Sequence, residues 1–193
     1  MHDTGGTPTN LTEFSNPVAA LEDIAAVFFG PQIAAEGKPV EAKDVREPFK
    51  TLLVHDQHMT TSLERFHGRP VRLEVIEDHL ADDRYTRKIL LCPEGTSHVV
   101  EVGVARIDLR FTAPAVRDEI LRREAPLGDI LIRHRVMREI EPKWFYRFEG
   151  PPSLLAAFDR PIDGPVYGRV GVIHCDGEPA IELLEVVSSD KAT

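Results

Sequence analysis

The spacing of hydrophobic and polar residues changes near residue 70. Before it, apolar residues recur every three or four positions, which is the period of an amphipathic helix. A first helix begins at Asn16, an N-cap followed by proline, and ends at Gly30. A second apolar stripe spans residues 49–66. The pattern predicts two helical segments separated by a polar linker over roughly 31–45.

After residue 70 the period becomes two, as in strands that bury one face. Strand-like runs cover 71–76, 87–91, 98–110, 130–140, 143–149, 167–175 and 179–187. Short helices are expected at 114–124 and 154–158. The Asp176-Gly177 pair between the last two runs is typical of a tight β-hairpin. The chain therefore has the pattern of an α+β protein, with helices first and then an antiparallel sheet with a short helix inserted.

The length of 193 residues fits one domain of ordinary size. Residues 1–15 have little to bury and are expected to form a mobile arm. Residues 16–44 are assigned to an N-terminal helix and linker, and residues 45–187 to the main domain. Residues 188–193 are expected to be a flexible tail.

Charge and cysteine content narrow the class of protein. The chain has 23 Lys and Arg against 32 Asp and Glu, a net charge of −9, which argues against nucleic acid as a partner. Neither a membrane-spanning apolar run nor a secretion signal is present, so a membrane partner is not expected. Cys92 and Cys175 lack the paired spacing of a zinc site and are expected to be reduced thiols in the cytoplasm. The oligomeric state is left open.

Two glutamates lie in the last predicted strand. A two-residue turn at Asp176-Gly177 would place Glu185 opposite Gly168 on an aliphatic face, and Glu182 on the other face, diagonal to Arg169. A carboxylate among aliphatic side chains needs a hydrogen-bond donor or a proton. Glu185 is therefore a candidate for a raised pKa. The alternative is that Glu185 reaches solvent at the open end of the hairpin.

Arg87 is the second candidate polar residue on an apolar face. Strand alternation places it beside Ile89 and Leu91, whereas Lys88 points the other way. A guanidinium in this position can hold a planar carboxylate by two parallel N–H bonds. The alternative is a salt bridge at the edge of the sheet.

Two other clusters have a structural interpretation that is favoured over a functional one. His55 and His58 are three residues apart, but a catalytic metal needs a third protein ligand, so solvent-facing or capping histidines are favoured and no metal is predicted. His174, Cys175 and Asp176 suggest a nucleophilic cysteine. Their place beside a tight turn favours an ordinary hairpin end.

Five segments together carry a family resemblance. They are Leu52–Thr60, Arg87–Leu91, Pro126–Gly128, Tyr167–Arg169 and Pro179–Glu185. In this order and spacing the chain resembles the chorismate lyase family, also called chorismate pyruvate-lyase or 4-hydroxybenzoate synthase, over about residues 45–187. The resemblance implies an antiparallel sheet of about six strands flanked by helices, with an internal ligand cavity. It also implies a lyase that eliminates pyruvate from chorismate to give 4-hydroxybenzoate without a cofactor.

The resemblance implies roles for individual residues. Arg87 would bind the ring carboxylate together with the backbone N–H of Leu127, which precedes Gly128 in the Pro-Leu-Gly turn. Glu185 would be the general acid at the ether oxygen, and Glu182 is a competing assignment because the spacing after Pro179 varies in the family. The remaining expected contacts to the substrate are Met59, Thr60 and Arg169. Family members carry Trp-Gly-Arg-Arg where this chain has Tyr-Gly-Arg-Val, so one positive charge is missing.

Two alternatives to the chorismate lyase remain. The same fold serves as the effector-binding domain of bacterial transcription regulators, so the chain could bind or sense an aromatic acid without chemistry. Such regulators carry a basic winged-helix domain, for which the first 45 residues are too few and too weakly charged. A related lyase or hydrolase acting on another carboxylated ring is the other alternative. Each of the three takes a small molecule as its partner.

Overall fold

A computed structural model describes residues 16–149, 153–158 and 164–189. The predicted mobile arm and residues 190–193 of the predicted tail lie outside the described residues. The helices are α1 Pro17–Phe29, α2 Ile33–Glu36, α3 Phe49–Leu53, α4 Met59–His67, α5 Pro114–Arg122 and α6 Leu127–Arg133. The strands are β1 Gly37–Val40, β2 Val71–Ala81, β3 Arg84–Pro93, β4 Glu101–Asp108, β5 Arg138–Phe148, β6 Val166–Cys175 and β7 Glu178–Val187.

In the described ranges the strands form one seven-stranded antiparallel sheet in the order β1-β5-β6-β7-β4-β3-β2. Helices flank the sheet, so the α+β class is confirmed. Strand β1 was not predicted, because it has only four residues and lies inside the expected polar linker. It pairs with the end of β5, where Gly37 lies opposite Phe148. Residues 17–40 therefore supply β1, an edge strand of the same sheet that the later strands form.

Two segments differ from the predicted pattern. Residues 127–133, part of them expected in a strand, form α6, which buries Ile130 and Leu131. A short apolar run does not by itself distinguish a strand from a buried helix. The predicted apolar stripe over 49–66 is divided into α3 and α4 by a non-helical segment at 54–58. The cause of that division is the buried arginine described below.

The β6–β7 hairpin has the predicted turn but not the predicted register. Asp176 and Gly177 both have positive φ angles, 52° and 90°, as a two-residue type I′ turn requires. Beyond the turn, Ala180 is an extra residue on β7, and this bulge shifts the pairing by one. Glu185 consequently lies opposite Arg169, not Gly168.

The two faces of the sheet carry different helices. On one face α1 packs on β4 and β7, and Arg106 of β4 forms ion pairs with Asp23 of α1 and Glu182 of β7. The other face is covered by α3 to α6. Its core under α5 and α6 includes Tyr85, Ala105, Ile107, Val116, Ile120, Leu127, Ile130, Leu131, Ile173 and Ile181. Among the described residues, no helix is both long enough and apolar enough to span a membrane.

Candidate ligand-binding site

A cavity lies between the helix-covered face of the sheet and the starts of α4 and α6. Its volume is about 50 Å³. Gly103 and Ala105 of β4 lie on its floor, where small side chains leave room. The apolar walls include Ile89, Leu91 and Leu183.

The structure brings six of the residues singled out from the sequence to this cavity. They are Met59, Thr60, Arg87, Leu127, Gly128 and Glu185. Arg87 of β3 pairs with Ala105, and Glu185 of β7 pairs with Gly103, so the two side chains reach the cavity from strands on either side of β4. Glu182 lies on the opposite face of the sheet, bound to Arg106.

Arg87 is almost completely buried, with 2% of its surface exposed. Its Nε and Nη1 atoms have no hydrogen-bond partner among the described residues. Asp78 lies opposite Arg87 on β2, but it forms an ion pair with Arg123 at 2.8 Å. Burial lowers the pKa of the Arg87 guanidinium, while Tyr85 and Asp78 partly oppose that effect. A buried cation with unsatisfied donors is costly unless an anion supplies the missing interactions.

Arg169 is equally buried but fully engaged within the protein. Its Nε donates to Glu185 Oε2 at 2.6 Å. Its Nη1 donates to the carbonyls of Leu53 and His55 at 3.1 and 2.7 Å, and its Nη2 donates to the carbonyl of Gln57 at 3.1 Å. These bonds hold the segment between α3 and α4 out of helical geometry. Arg169 lies behind Glu185 and not on the cavity wall, unlike the expected substrate contact.

His58 is buried and His55 is half-buried, so the solvent-facing part of the interpretation favoured from the sequence is wrong, whereas His55 contacts the end of α3 as a capping residue would. His55 Nε2 lies 2.6 Å from the Leu52 carbonyl, and its Nδ1 accepts from the N–H of Gln57 at 3.2 Å. Burial and the nearby Arg169 lower the pKa of His55. No group of three or more metal-ligating residues occurs in the described part of the chain.

His58 forms part of the cavity wall. Its Nε2 accepts a hydrogen bond from Arg138 Nε at 2.6 Å, which requires that nitrogen to be unprotonated. Burial, Arg138 and Arg169 lower the pKa of His58 to about 4. A Cβ atom on Gly128 would lie 3.1 Å from His58 Cβ and 3.2 Å from Thr60 Oγ1. Glycine at this position therefore allows α6 to approach the start of α4 closely.

Glu101 of β4 is the cavity residue that the sequence analysis missed. Only 3% of its surface is exposed, and its Oε2 has no hydrogen-bond partner among the described residues. Burial and the charge of Glu185 raise the pKa of Glu101 well above its usual value, and Arg169 opposes them. The available signal was its alternation with Gly103 and Ala105, the small residues of the same strand face.

Cys175 has no feature of a nucleophile. It is buried under α5 and α6, outside the cavity. Burial and the neighbouring Asp176 raise the pKa of its thiol to about 11, so it stays protonated at neutral pH. The His174 ring lies 3.3 Å from Glu141. The groups that could bind a ligand are those of the cavity. They are the buried guanidinium of Arg87, the carboxyl groups of Glu101 and Glu185, and the apolar walls.

Solved structures are similar to this chain. The effector domain of PhnF from Mycobacterium smegmatis aligns with a TM-score of 0.50 at 13% identity, over 71% of this chain and 91% of that chain. The longer PhnF structure gives 0.48 at 13% identity over 69% of this chain, which spans 64% of that protein's length. The ligand-binding domain assigned to a GntR-family transcriptional regulator from Bordetella bronchiseptica gives 0.48 at 10% identity, over 63% of this chain and 87% of that one. No protein-family model and no curated protein matches the chain.

The prediction of a chorismate lyase is wrong. The solved structure that this chain matches best in fold among those compared above is an effector domain, not a lyase. At 13% identity the likeness to the PhnF effector domain shows the fold. The resemblance found in the sequence located an antiparallel fold of this kind, but its activity does not follow.

Proposed function

We propose that this protein binds a small aromatic carboxylate in the cavity and senses it without performing chemistry on it. The observation that carries the proposal is Arg87, a buried guanidinium on the cavity wall with two donor nitrogens that lack a partner in the described residues. A ligand carboxylate would accept two parallel N–H bonds from this group. The cost of the unpaired buried charge would then be offset only in the bound state.

The other cavity residues suit a flat ring. Apolar side chains from β3 and β7 would contact the faces of the ring, and Met59 would cover it from α4. Leu127 begins α6, where a backbone N–H has no partner within the helix, so it would join Arg87 at the carboxylate. Gly128 and Thr60 would complete the wall on the helix side.

Whole-chain electrostatics would contribute little to affinity. The net charge of −9 repels an anion at long range, so the attraction comes from the local positive site at Arg87. Binding energy should therefore come from burial of the ring and from the ion pair. The fold shared with an effector domain supports a sensing role over a transport or storage role.

The proposal is tested by isothermal titration of the full chain with benzoate and 4-hydroxybenzoate. We expect saturable one-to-one binding that Arg87→Ala weakens by about 30-fold or more, the equivalent of about 2 kcal/mol for a desolvated charge pair. The matched control is Arg110→Ala, because Arg110 pairs with Asp108 on the surface and should leave affinity unchanged. Failure of both ligands to bind, or equal binding by wild type and Arg87→Ala, would contradict the proposal.

A further inference from the structure

Asp78 of β2 lies directly opposite Arg87 of β3 in the sheet. Residues paired in this way have Cβ atoms about 5 Å apart on the same face, so a carboxylate and a guanidinium at these positions can form an ion pair. The Nε and Nη1 atoms of Arg87 nevertheless have no hydrogen-bond partner in the described residues. The position of Asp78 in the sheet therefore does not explain why these donors are left open.

A second arginine, at the end of α5, engages Asp78 instead. Arg123 Nη2 lies 2.8 Å from Asp78 Oδ2, and only 14% of the Asp78 side chain is exposed. Burial raises the pKa of the Tyr85 hydroxyl, and the charges of Arg87, Asp78 and Arg123 all act on that same group. One carboxylate is thus close to two guanidinium groups and forms its ion pair with Arg123.

The backbone of Arg123 is unusual for an arginine. It ends α5 in the left-handed conformation, with φ 64° and ψ 19°. Glycine usually takes this position, because a Cβ atom makes the conformation unfavourable. An arginine here is unfavourable for the backbone but brings a guanidinium to Asp78. Its side chain is 54% exposed, so a substitution would not open the core.

We propose that Arg123 is a positioning residue for the ligand site: by holding Asp78, it keeps Asp78 from pairing with Arg87 and leaves Arg87 available to a ligand carboxylate. This inference rests on the proposed function, since it concerns the affinity of that site. Asp78 is an internal competitor of the ligand, because both are carboxylates that can accept from Arg87. The end of α5 consequently sets the affinity of the cavity, although neither Asp78 nor Arg123 lines it.

The first test is isothermal titration of the full chain with benzoate at pH 7. Arg123→Gly should weaken binding by about tenfold, because the ligand must then displace Asp78 from Arg87. Asp78→Asn should bind benzoate at least as tightly as the wild type, and the double variant should stay within about twofold of Asp78→Asn. Arg123→Lys keeps a cation beside Asp78 and should retain most of the wild-type affinity.

The matched control is Arg122→Gln. It removes a positive charge from the neighbouring residue of α5, whereas the ion pair of Asp78 is with Arg123, and it should change the affinity by less than about twofold. An equal loss in Arg122→Gln and Arg123→Gly would overturn the proposal. The same holds if Arg123→Gly weakens binding equally with and without Asp78→Asn, since Arg123 would then act through its own charge.

Urea denaturation tests the same idea without a ligand. In the wild type, Arg87→Met removes an uncompensated charge and should raise the free energy of unfolding. In the Arg123→Gly background Arg87 is paired with Asp78, so the same substitution should lower the free energy of unfolding. A change of the same sign in both backgrounds would overturn the proposal.

The outcomes separate this inference from the proposed function. If benzoate does not bind the wild type, the proposed function fails and the unfolding measurements alone decide the role of Arg123. If benzoate binds through Arg87 and Arg123→Gly binds it as the wild type does, only the role of Arg123 is overturned. Arg123→Gly should itself fold, because glycine favours the left-handed conformation at the end of α5.

Discussion

Arginines on the two faces of the sheet differ in whether nearby carboxylates compensate their charge. On the α1 face, burial would lower the pKa of Arg106, but the carboxylates of Glu182 and Asp23 outweigh burial and raise it. On the cavity face, Arg87 has no comparable partner in the described residues and burial lowers its pKa. A compensated charge is part of the architecture, whereas an uncompensated one on a cavity wall indicates a place for a ligand.

Arg169 belongs to the cavity face but behaves like Arg106. Its charge is balanced by Glu185, and its remaining donors reach carbonyls that α3 leaves open at its end. The cavity face therefore has two arginines with different roles. Arg169 is structural, and Arg87 is the candidate binding residue. The distinction lies in their partners and not in their burial, which is 2% exposed surface for both.

The largest effect should come from removing the structural arginine. Arg169→Met leaves Glu185 without its donor and three backbone carbonyls unsatisfied, and should lower the free energy of unfolding by about 3–5 kcal/mol. Urea denaturation of the wild type and the variant measures the difference. Arg106→Met, in the less deeply buried network of the α1 face, should cost less. An equal or smaller loss for Arg169→Met would remove the contrast between the two sites.

The candidate binding arginine should show the opposite sign. Because its donors have no partner, Arg87→Met should raise the free energy of unfolding of the ligand-free protein by about 1–3 kcal/mol. The same urea titration checks this, with Arg106→Met as the variant expected to lose stability. A clear loss of stability for Arg87→Met would mean that Arg87 is compensated as Arg106 is.

A smaller effect on stability should come from lowering the pH, through His58 on the cavity face. His58 is neutral in the folded protein down to about pH 4, whereas an unfolded histidine takes up a proton near 6.5. Its contribution to stability is therefore present above pH 6.5 and is lost as pH falls towards 4, by about 1–2 kcal/mol after allowance for its partial exposure to solvent.

This contribution is measured against His58→Gln, whose amide oxygen can still accept from Arg138 but does not titrate. Thermal unfolding between pH 7 and 4 should show a steeper loss for the wild type than for the variant. Parallel curves for the two proteins would show that burial of His58 is not coupled to its protonation.

The sequence was sufficient for the fold class and for several of the residues that meet at the cavity. The change of period near residue 70 predicted helices followed by a sheet, and strand alternation placed Arg87 on the apolar face of β3. Strand β1 is too short and too polar for its period to be visible. The role of Arg169 depends on carbonyls more than a hundred residues away, which no local pattern encodes.

Glu101 could not be predicted from the sequence for a different reason. Its neighbours on the strand face are small, and the space they leave becomes visible only when helices α4 and α6 are placed above them. The register of the last hairpin was predicted one residue out, because a bulge at Ala180 has no sequence signature as clear as that of the turn.

Because of this bulge, the hairpin could lose one residue without a change in which side chains face the interior. Ala180 has no counterpart on β6, so a chain lacking it could close the same turn as a regular ladder, with Glu185 still opposite Arg169 and Glu182 still opposite Val172. Chains differing by one residue at this point would thus present the same carboxyl group inwards. An alignment of homologous sequences should therefore place a gap at position 180 and keep Glu182 and Glu185 aligned with their counterparts.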